Sequence, residues 1–188
     1  MGSAEILLSA DQIQKRVTAL AGEIRRDFPD DLHLIAVLKG AFVFLADLVR
    51  QMPGDVSLDF MAVASYGEGT ASSGQVRLLK DLDVPIDGKN VVLVEDIVDS
   101  GLTLAYLQAL VRTRTPRRLA TACLLNKPTR RKTDVQVDYV GFTIEDHFVV
   151  GYGLDHAEHY RNLPYIGVVT PSGGGRLQFP EVSRGHAG

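Results

Sequence analysis

The segment Val91–Thr103, which reads VVLVEDIVDSGLT, constrains the fold of this chain more than any other. Its first four residues are apolar, which is typical of a strand buried on both faces of a parallel sheet. Two acids, Glu95 and Asp96, follow that run, and a third, Asp99, precedes a small turn that contains hydroxyl groups. The turn leads into LTLAYLQALV, a helical pattern. The segment therefore predicts a buried strand that ends in acids, then a turn, then a helix.

This arrangement predicts a pocket for a phosphorylated sugar. In open α/β sheets, ligands bind at the carboxyl ends of the strands. The N-terminus of a helix offers free backbone N–H groups and a positive dipole end, which suit a phosphate. Acids beside a phosphate are explained if sugar hydroxyls need acceptors and a divalent cation lies nearby. An ordinary helix start, capped by Asp99 or Ser100, needs only one such residue and leaves the other acids unexplained.

Composition limits the class of protein. A length of 188 residues suits one domain, which we place at residues 1–170, followed by a glycine-rich flexible tail at residues 171–188. The net charge of −3 gives no global basic field for nucleic acid or membrane. No apolar run approaches the roughly 20 residues that span a bilayer, and no secretory leader precedes the fold, so we expect a cytoplasmic protein. Cys123 lies in an apolar run, so we expect a buried strand position for it.

Periodicity along the chain predicts alternating helices and strands. Helices are predicted over residues 9–28, 41–52 and 102–114, with Ser9 as a possible N-cap. Strands are predicted over residues 32–38, 58–64, 75–82, 91–94, 119–125, 138–144, 148–152 and 165–169. This order is typical of an α/β fold with a mostly parallel, twisted sheet flanked by helices. Residues 58–82 form a two-stranded excursion whose glycine-rich stretch SYGEGTASSG is predicted to be a mobile loop.

The acidic segment resembles the phosphoribosyl-diphosphate signature of the type I phosphoribosyltransferases. Residues 38–48 (LKGAFVFLADL) are similar to that family's diphosphate loop, and residues 65–67 (SYG) to its catalytic flexible loop. Residues 126–128 (NKP) and 148–169 (FVVGYGLDHAEHYRNLPYIGVV) resemble the purine-binding segments of its hypoxanthine-guanine branch. The resemblance implies the family's fold, with a small hood built from the N- and C-terminal segments. It also implies transfer of a phosphoribosyl group from phosphoribosyl diphosphate to hypoxanthine or guanine, giving IMP or GMP plus diphosphate.

The resemblance also implies roles for the catalytic residues. Glu95 and Asp96 would accept hydrogen bonds from the ribose hydroxyls and favour the positive charge that develops on the sugar. Asp99 would face an imidazole nitrogen of the purine and manage a proton there. Ser65 and Tyr66 would close over the site and exclude water.

Further residues would bind the substrates and the metal. A Mg²⁺ ion is implied, with Glu95, Asp96 and Asp155 as its candidate protein contacts. The diphosphate would be met by Lys39, Gly40 and Arg161, with the Leu38–Lys39 bond expected to be cis as in many relatives. The 5-phosphate would be wrapped by Asp99 and by the residues of the following turn, which are Ser100, Gly101, Leu102 and Thr103.

Four residues would form the purine pocket. Phe148 would stack on the base, Val149 would offer its backbone, Ile97 would line the other side, and Lys127 would donate to the 6-oxo group. Without the resemblance, Phe148 fits a core residue and Lys127 a solvated loop lysine. The pattern from Asp155 to His159 suggests zinc only weakly, because a transition-metal site needs a fuller ligand set.

Two alternatives to this function stay open. One is a xanthine-preferring transferase. The other is a nucleotide-sensing regulator that binds RNA or DNA through the basic runs at residues 112–118 and 130–132, although a short charge run is usually a solvated face. Retention of Asp99 and of the SYG loop favours catalysis. We expect small-molecule substrates as the partners, neither nucleic acid nor membrane, and a homodimer or homotetramer as in the family.

Overall fold

The structure is a computed structural model that describes residues 4–65 and 76–169, and side chains from residue 5 to 64 and from 76 to 169. Three helices lie at α1 (Ala10–Asp27), α2 (Phe42–Arg50) and α3 (Leu102–Arg112), and a short 3-10 turn lies at Pro128–Arg130. The strands are β1 (Ala4–Leu8), β2 (Leu32–Leu38), β3 (Val56–Ser65), β4 (Val76–Lys80), β5 (Asn90–Val98), β6 (Arg118–Asn126), β7 (Tyr139–Thr143), β8 (Val149–Val150) and β9 (Ile166–Val169).

The main sheet has six strands in the order β4-β3-β2-β5-β6-β7. All neighbouring strands are parallel except β3 and β4, which are antiparallel and form the predicted two-stranded excursion. Helices α1 and α2 pack with one face of the sheet, and α3 contributes Leu104, Leu107 and Val111 to the core on the other. The predicted α/β fold, with a mostly parallel sheet flanked by helices, is confirmed.

Helix α1 follows directly from its sequence. Its apolar residues Ile13, Val17, Leu20 and Ile24 recur at helical spacing and are buried against the sheet. Ser9 is the N-cap as predicted, and its side chain and that of Gln12 form reciprocal capping hydrogen bonds. The helix therefore has both a specified start and a specified buried face. No helix in the described residues is long and apolar enough to cross a membrane.

A second, three-stranded sheet joins the two ends of the described chain, in the order β1-β9-β8. Strand β1 was not predicted, because five residues at the start of a chain give too short a pattern to recognise. It pairs antiparallel with β9, from Ala4 opposite Val169 to Leu8 opposite Ile166. This sheet brings N- and C-terminal segments together, as the resemblance implied for the hood.

The prediction for β5 was wrong at its end. The strand continues through Glu95 and Asp96 to Val98, because β6 stays paired with it as far as Val98 opposite Asn126. The acids therefore lie within the strand and not after it. The N-cap residue of α3 is Gly101, which has a φ of 83°, and not Asp99 or Ser100, although Ser100 Oγ accepts the N–H of Leu102 at 3.4 Å. The predicted mobile loop beyond Ser65 and the predicted tail at residues 171–188 lie outside the described residues.

Candidate active site

A cavity of about 260 Å³ lies at the carboxyl ends of the parallel strands, where such sheets bind ligands. Its walls come from the ends of β2, β3 and β5 and from the turn that leads into α3. The lining residues are Val37, Leu38, Gly40, Val63, Glu95, Asp96, Ile97, Val98, Asp99, Ser100, Gly101, Thr103 and Leu104. The structure thus brings together most of the residues predicted to hold the phosphoribosyl group.

Two adjacent carboxyl groups form the floor of this first cavity. Glu95 is buried, and burial followed by the neighbouring charge of Asp96 raises its pKa. Burial also raises the pKa of Asp96, although the N–H of Ile97 donates to its Oδ1 at 2.8 Å and opposes that shift. Asp96 lies directly against Gly40, where any Cβ would overlap its carboxylate. A ligand that places a positive charge or hydroxyl donors next to these two carboxyl groups would stabilise them.

Asp99 lies at the rim of the first cavity, and its carboxylate pairs with a cation. Its Oδ1 accepts from Arg130 Nε at 3.1 Å, and Arg130 Nη1 reaches Asp146 Oδ2 at 3.2 Å. The sequence had placed Arg130 in a solvated basic run, and Asp146 was not predicted to lie at the site. Nothing in the local sequence signals either contact, since they join segments that are far apart in the chain.

A second cavity of about 480 Å³ adjoins the first and shares Asp99 with it. Its other lining residues are Lys127, Arg130, Asp146, His147, Phe148, Val168 and Val169. It lies between the turn after β6 and the small three-stranded sheet. The predicted base-reading residues Lys127 and Phe148 therefore meet at one concave surface next to the predicted proton-handling acid.

Lys127 is not a solvated loop lysine. It is only 6% exposed, and its Nζ donates to the carbonyl of His147 at 2.6 Å and lies 3.8 Å from Asp146. Phe148 is 49% exposed and meets the His156 ring edge-to-face, so it is not a core residue. Their exposures are the reverse of what their residue types favour, which is typical of a binding site.

Val149 and Ile97 are the other two residues predicted to contact the base. Val149 is buried in β8, directly after Phe148. Ile97 lines the first cavity and is absent from the lining of the second. Its contact with the base stays a prediction.

The predicted diphosphate-binding residues Lys39 and Arg161 belong to a network of ion pairs beside the first cavity. The Leu38–Lys39 peptide bond is cis, as expected. Lys39 Nζ pairs with Glu158 Oε2 at 2.9 Å, and Glu158 also approaches Arg161 at 3.4 Å. Arg161 in turn pairs with Asp155 Oδ1 at 2.9 Å. Glu158 was not predicted, and it joins two cations that the sequence had only suggested separately.

The structure also describes most of the remaining residues that the sequence analysis named. Ser65 ends β3, and Tyr66 lies outside the described residues. Cys123 is buried in β6 as expected, and burial raises its pKa to about 12, which is unfavourable for a nucleophile. His156 and His159 pair through their backbones. Within the part of the chain that the structure describes, no group of three or more His, Cys, Asp or Glu could hold a metal by itself.

Comparison with known proteins agrees with this geometry. A family model for the phosphoribosyl transferase domain matches residues 3–157. The chain is 49% identical to the hypoxanthine-guanine phosphoribosyltransferase of Bacillus subtilis, over 89% of this chain and 94% of the relative. It is 51% identical to the protein of that name from Mycobacterium avium, over 88% and 85%.

Solved structures give the same result. A crystal structure of a hypoxanthine-guanine phosphoribosyltransferase from Bacillus anthracis superposes with a TM-score of 0.85 at 52% identity, covering 88% of this chain and 98% of that one. The hypoxanthine phosphoribosyltransferase of Trypanosoma cruzi gives a TM-score of 0.84 at 43% identity, covering 89% and 96%. The chain has the type I phosphoribosyltransferase fold and is a phosphoribosyltransferase enzyme that belongs to the hypoxanthine-guanine phosphoribosyltransferase family.

Proposed function

We propose that this enzyme transfers the 5-phosphoribosyl group of phosphoribosyl diphosphate to hypoxanthine or guanine, releasing diphosphate and forming IMP or GMP. The observation that carries the proposal is the pair of adjoining cavities that share Asp99. One has acids and a helix N-terminus, which suit a sugar phosphate. The other has a buried lysine and an exposed aromatic ring, which suit a flat base with a carbonyl oxygen.

On the sugar side, the acids act on the reacting ribose. Glu95 and Asp96 accept hydrogen bonds from the ribose hydroxyls, and their negative charge favours the cationic sugar of the transition state. Ser100, Gly101, Leu102 and Thr103 meet the 5-phosphate through N–H groups and hydroxyls. Their position at the start of α3 supports this role.

The diphosphate leaves toward the network of ion pairs beside this cavity. Lys39, Gly40 and Arg161 meet its oxygens, and Arg161 suits a bidentate contact. Lys39 and Arg161 already face Glu158 and Asp155 at 2.9 Å, so these cations have anionic partners that a diphosphate would replace. Ser65 and Tyr66 are assigned to closing the site over the reacting atoms.

A Mg²⁺ ion fits the donor set of this site. Glu95, Asp96 and Asp155 offer only carboxylate oxygens, the ligands that hard cations prefer. Burial raises the pKa of Asp96 to about 6, and the nearby charge of Asp155 adds to that shift. Few protein ligands are needed when the substrate supplies oxygens of its own. When bound, the ion would neutralise charge on the departing diphosphate.

On the base side, three residues define the purine's place. Lys127 donates from its buried Nζ to the 6-oxo group, which selects 6-oxopurines over adenine. Phe148 stacks on the ring, and the Val149 backbone contacts its edge. Asp99 takes or gives the proton at the imidazole nitrogen that does not attack the sugar. The position of Asp99 in both cavity walls supports this role.

The structure weakens the support that the basic runs gave to the rival function as a nucleic-acid-binding regulator. Arg130 and Arg131 contact residues of the 98–100 turn. In the other run, Arg114 pairs with Asp81 at 2.6 Å, and Arg118 lies over the Phe28 ring. These side chains have structural partners inside the fold. A xanthine-preferring enzyme would use the same site. A comparison of the bases that the protein accepts distinguishes it from the proposed enzyme.

The test is product formation. The purified protein is mixed with hypoxanthine, phosphoribosyl diphosphate and Mg²⁺, and IMP and diphosphate are measured by chromatography. We expect both products in equal amounts, and loss of both when a chelator removes the metal. Absence of both IMP from hypoxanthine and GMP from guanine would overturn the proposal.

A cytoplasmic location and a homodimer or homotetramer complete the proposal. Light scattering after gel filtration measures the oligomeric state.

A further inference from the structure

Three successive carbonyl groups at the turn between β5 and α3 accept hydrogen bonds from the segment that follows β6. Arg131 Nη1 donates to the carbonyl oxygen of Val98 at 2.8 Å and to that of Asp99 at 2.5 Å. The N–H of Lys132 donates to the carbonyl of Ser100 at 2.9 Å. The N–H of Lys127 adds a second contact to Val98, at 3.0 Å. The segment after β6 therefore fixes three consecutive peptide planes of the turn.

Fixing these carbonyls also fixes the N–H groups on the other side of each peptide. In a trans peptide, the carbonyl of one residue and the N–H of the next point in opposite directions. The held carbonyls of Val98, Asp99 and Ser100 therefore direct the N–H groups of Asp99, Ser100 and Gly101 away from the segment after β6. These three residues line the first cavity, and Arg131 does not. The N–H groups consequently face the place of the 5-phosphate.

Arg131 is itself held in place. Its Nη2 donates to the side-chain oxygen of Asn126, the last residue of β6, and its side chain is half-buried. An arginine suits this position because its planar fork can contact a side chain and two carbonyls from one rigid group. The back of the turn is further filled by Thr133 and Val135, which would lie 3.0 to 3.3 Å from a Cβ at Gly101.

We infer that Arg131 is a positioning residue for phosphate binding, which orients the N–H groups of Asp99 and Ser100 without touching the ligand, while the Lys132 N–H orients that of Gly101. This inference rests on the proposed function, because it takes the 5-phosphate as the anion in the first cavity. It assigns a role to a residue that the sequence placed in a solvated basic run. Its consequence is specific: loss of Arg131 should weaken recognition of the phosphate and leave recognition of the base and ribose unchanged.

The experiment compares IMP with inosine, which lacks only the 5-phosphate, by calorimetry. In the wild type we expect IMP to bind far more tightly than inosine. In Arg131→Gln we expect IMP to bind about tenfold more weakly and inosine as before, the loss expected for hydrogen bonds that involve a charged group. Arg117→Gln is the matched control, because Arg117 is exposed at the opposite end of the sheet. We expect it to leave both affinities unchanged.

The possible outcomes separate the two proposals. A wild type that does not bind IMP would contradict the proposed function itself. A wild type that prefers IMP, with an undiminished preference in Arg131→Gln, would overturn only the role of Arg131. Full recovery of IMP affinity in Arg131→Lys would also overturn it, because charge alone would then be sufficient and the fork would be unnecessary.

A second measurement does not depend on any variant folding. Inorganic phosphate is titrated into ¹⁵N-labelled wild-type protein, and the backbone amide signals are followed. We expect the signals of Asp99, Ser100 and Gly101 to shift together and to saturate at one phosphate concentration. If those three signals stay in place while others shift, phosphate binds elsewhere and the inference fails.

Discussion

The guanidinium of Arg130 lies between two acids that line the second cavity, with its Nε 3.1 Å from Asp99 Oδ1 and its Nη1 3.2 Å from Asp146 Oδ2. All three side chains are about half exposed, so solvent screens the ion pairs and they contribute little to stability. Their effect is positional. Arg130 fixes the orientation of the carboxylate that we assign to the purine proton.

Replacing Arg130 should therefore affect turnover more than folding. In Arg130→Gln, Asp99 loses its cation and its fixed orientation, and we expect kcat with hypoxanthine to fall roughly ten- to hundredfold. The melting temperature should stay close to that of the wild type. Steady-state kinetics and thermal unfolding measure the two effects, with Arg117→Gln as the control. Wild-type turnover in Arg130→Gln would show that Asp99 needs no positioning by this side chain.

Asp99→Asn tests the proton role directly. The substitution preserves the shape of the side chain and removes its basicity, so we expect kcat to fall by about 10²–10⁴-fold. Affinity for phosphoribosyl diphosphate should be nearly unchanged, as measured by calorimetry. Unchanged turnover on hypoxanthine at neutral pH would exclude Asp99 as the acid or base.

Lys127→Met tests base selection while preserving most of the buried stem. The substitution keeps the packing of the aliphatic chain and removes the ammonium group that faces the His147 carbonyl. We expect hypoxanthine affinity to fall about tenfold or more, because a hydrogen bond from a charged donor is lost. Affinity for phosphoribosyl diphosphate should not change. Equal losses for both ligands would show that Lys127 acts on the structure of the site and not on the base.

His33 predicts how stability depends on pH. Burial, followed by the nearby charge of Lys89, lowers its pKa from the ordinary 6.5, while Asp59 and Asp31 oppose the shift. Below pH 6.5 the unfolded chain therefore binds a proton that the folded state resists. The free energy of unfolding should fall as the pH decreases from about 6.5, by at most about 1.4 kcal/mol per pH unit, until the pH reaches the folded pKa.

Urea unfolding between pH 7 and pH 5 measures this contribution. His33→Gln removes the titrating ring and can still bond Ser57, which lies 2.7 Å from His33 Nδ1. We expect this variant to have a smaller pH dependence than the wild type. His159→Gln, at an exposed position, should retain the wild-type dependence. Parallel curves for all three proteins would exclude His33 as the source.

Local patterns in the sequence were sufficient to predict the main sheet and its helices. Strand β2 has the predicted bounds, and α1 begins at the predicted cap. The end of β5 could not be predicted, because acids disfavour a buried strand and only the pairing with β6 keeps them in one. Strand β1 was missed for a related reason, since its stability depends on β9, a partner more than 150 residues away.

The site was predicted where the residue types themselves carry the chemistry. Glu95, Asp96 and Asp99 are recognisable because acids rarely follow a buried apolar run without a function. Arg130 and Arg131 were misread, since a basic run has the same sequence whether its side chains face solvent or contact another turn of the fold. Only the fold places residues 130 and 131 next to residues 98 and 99.

The most direct test of the account is competition among purine bases. The enzyme is given equal concentrations of hypoxanthine, guanine, xanthine and adenine with limiting phosphoribosyl diphosphate and Mg²⁺, and the nucleotide products are separated by chromatography. We predict that IMP and GMP account for nearly all of the product and that AMP is absent, because we assign the buried Lys127 to the 6-oxo group. XMP as the main product would support the xanthine-preferring alternative. Formation of AMP, or of no nucleotide at all, would contradict the account.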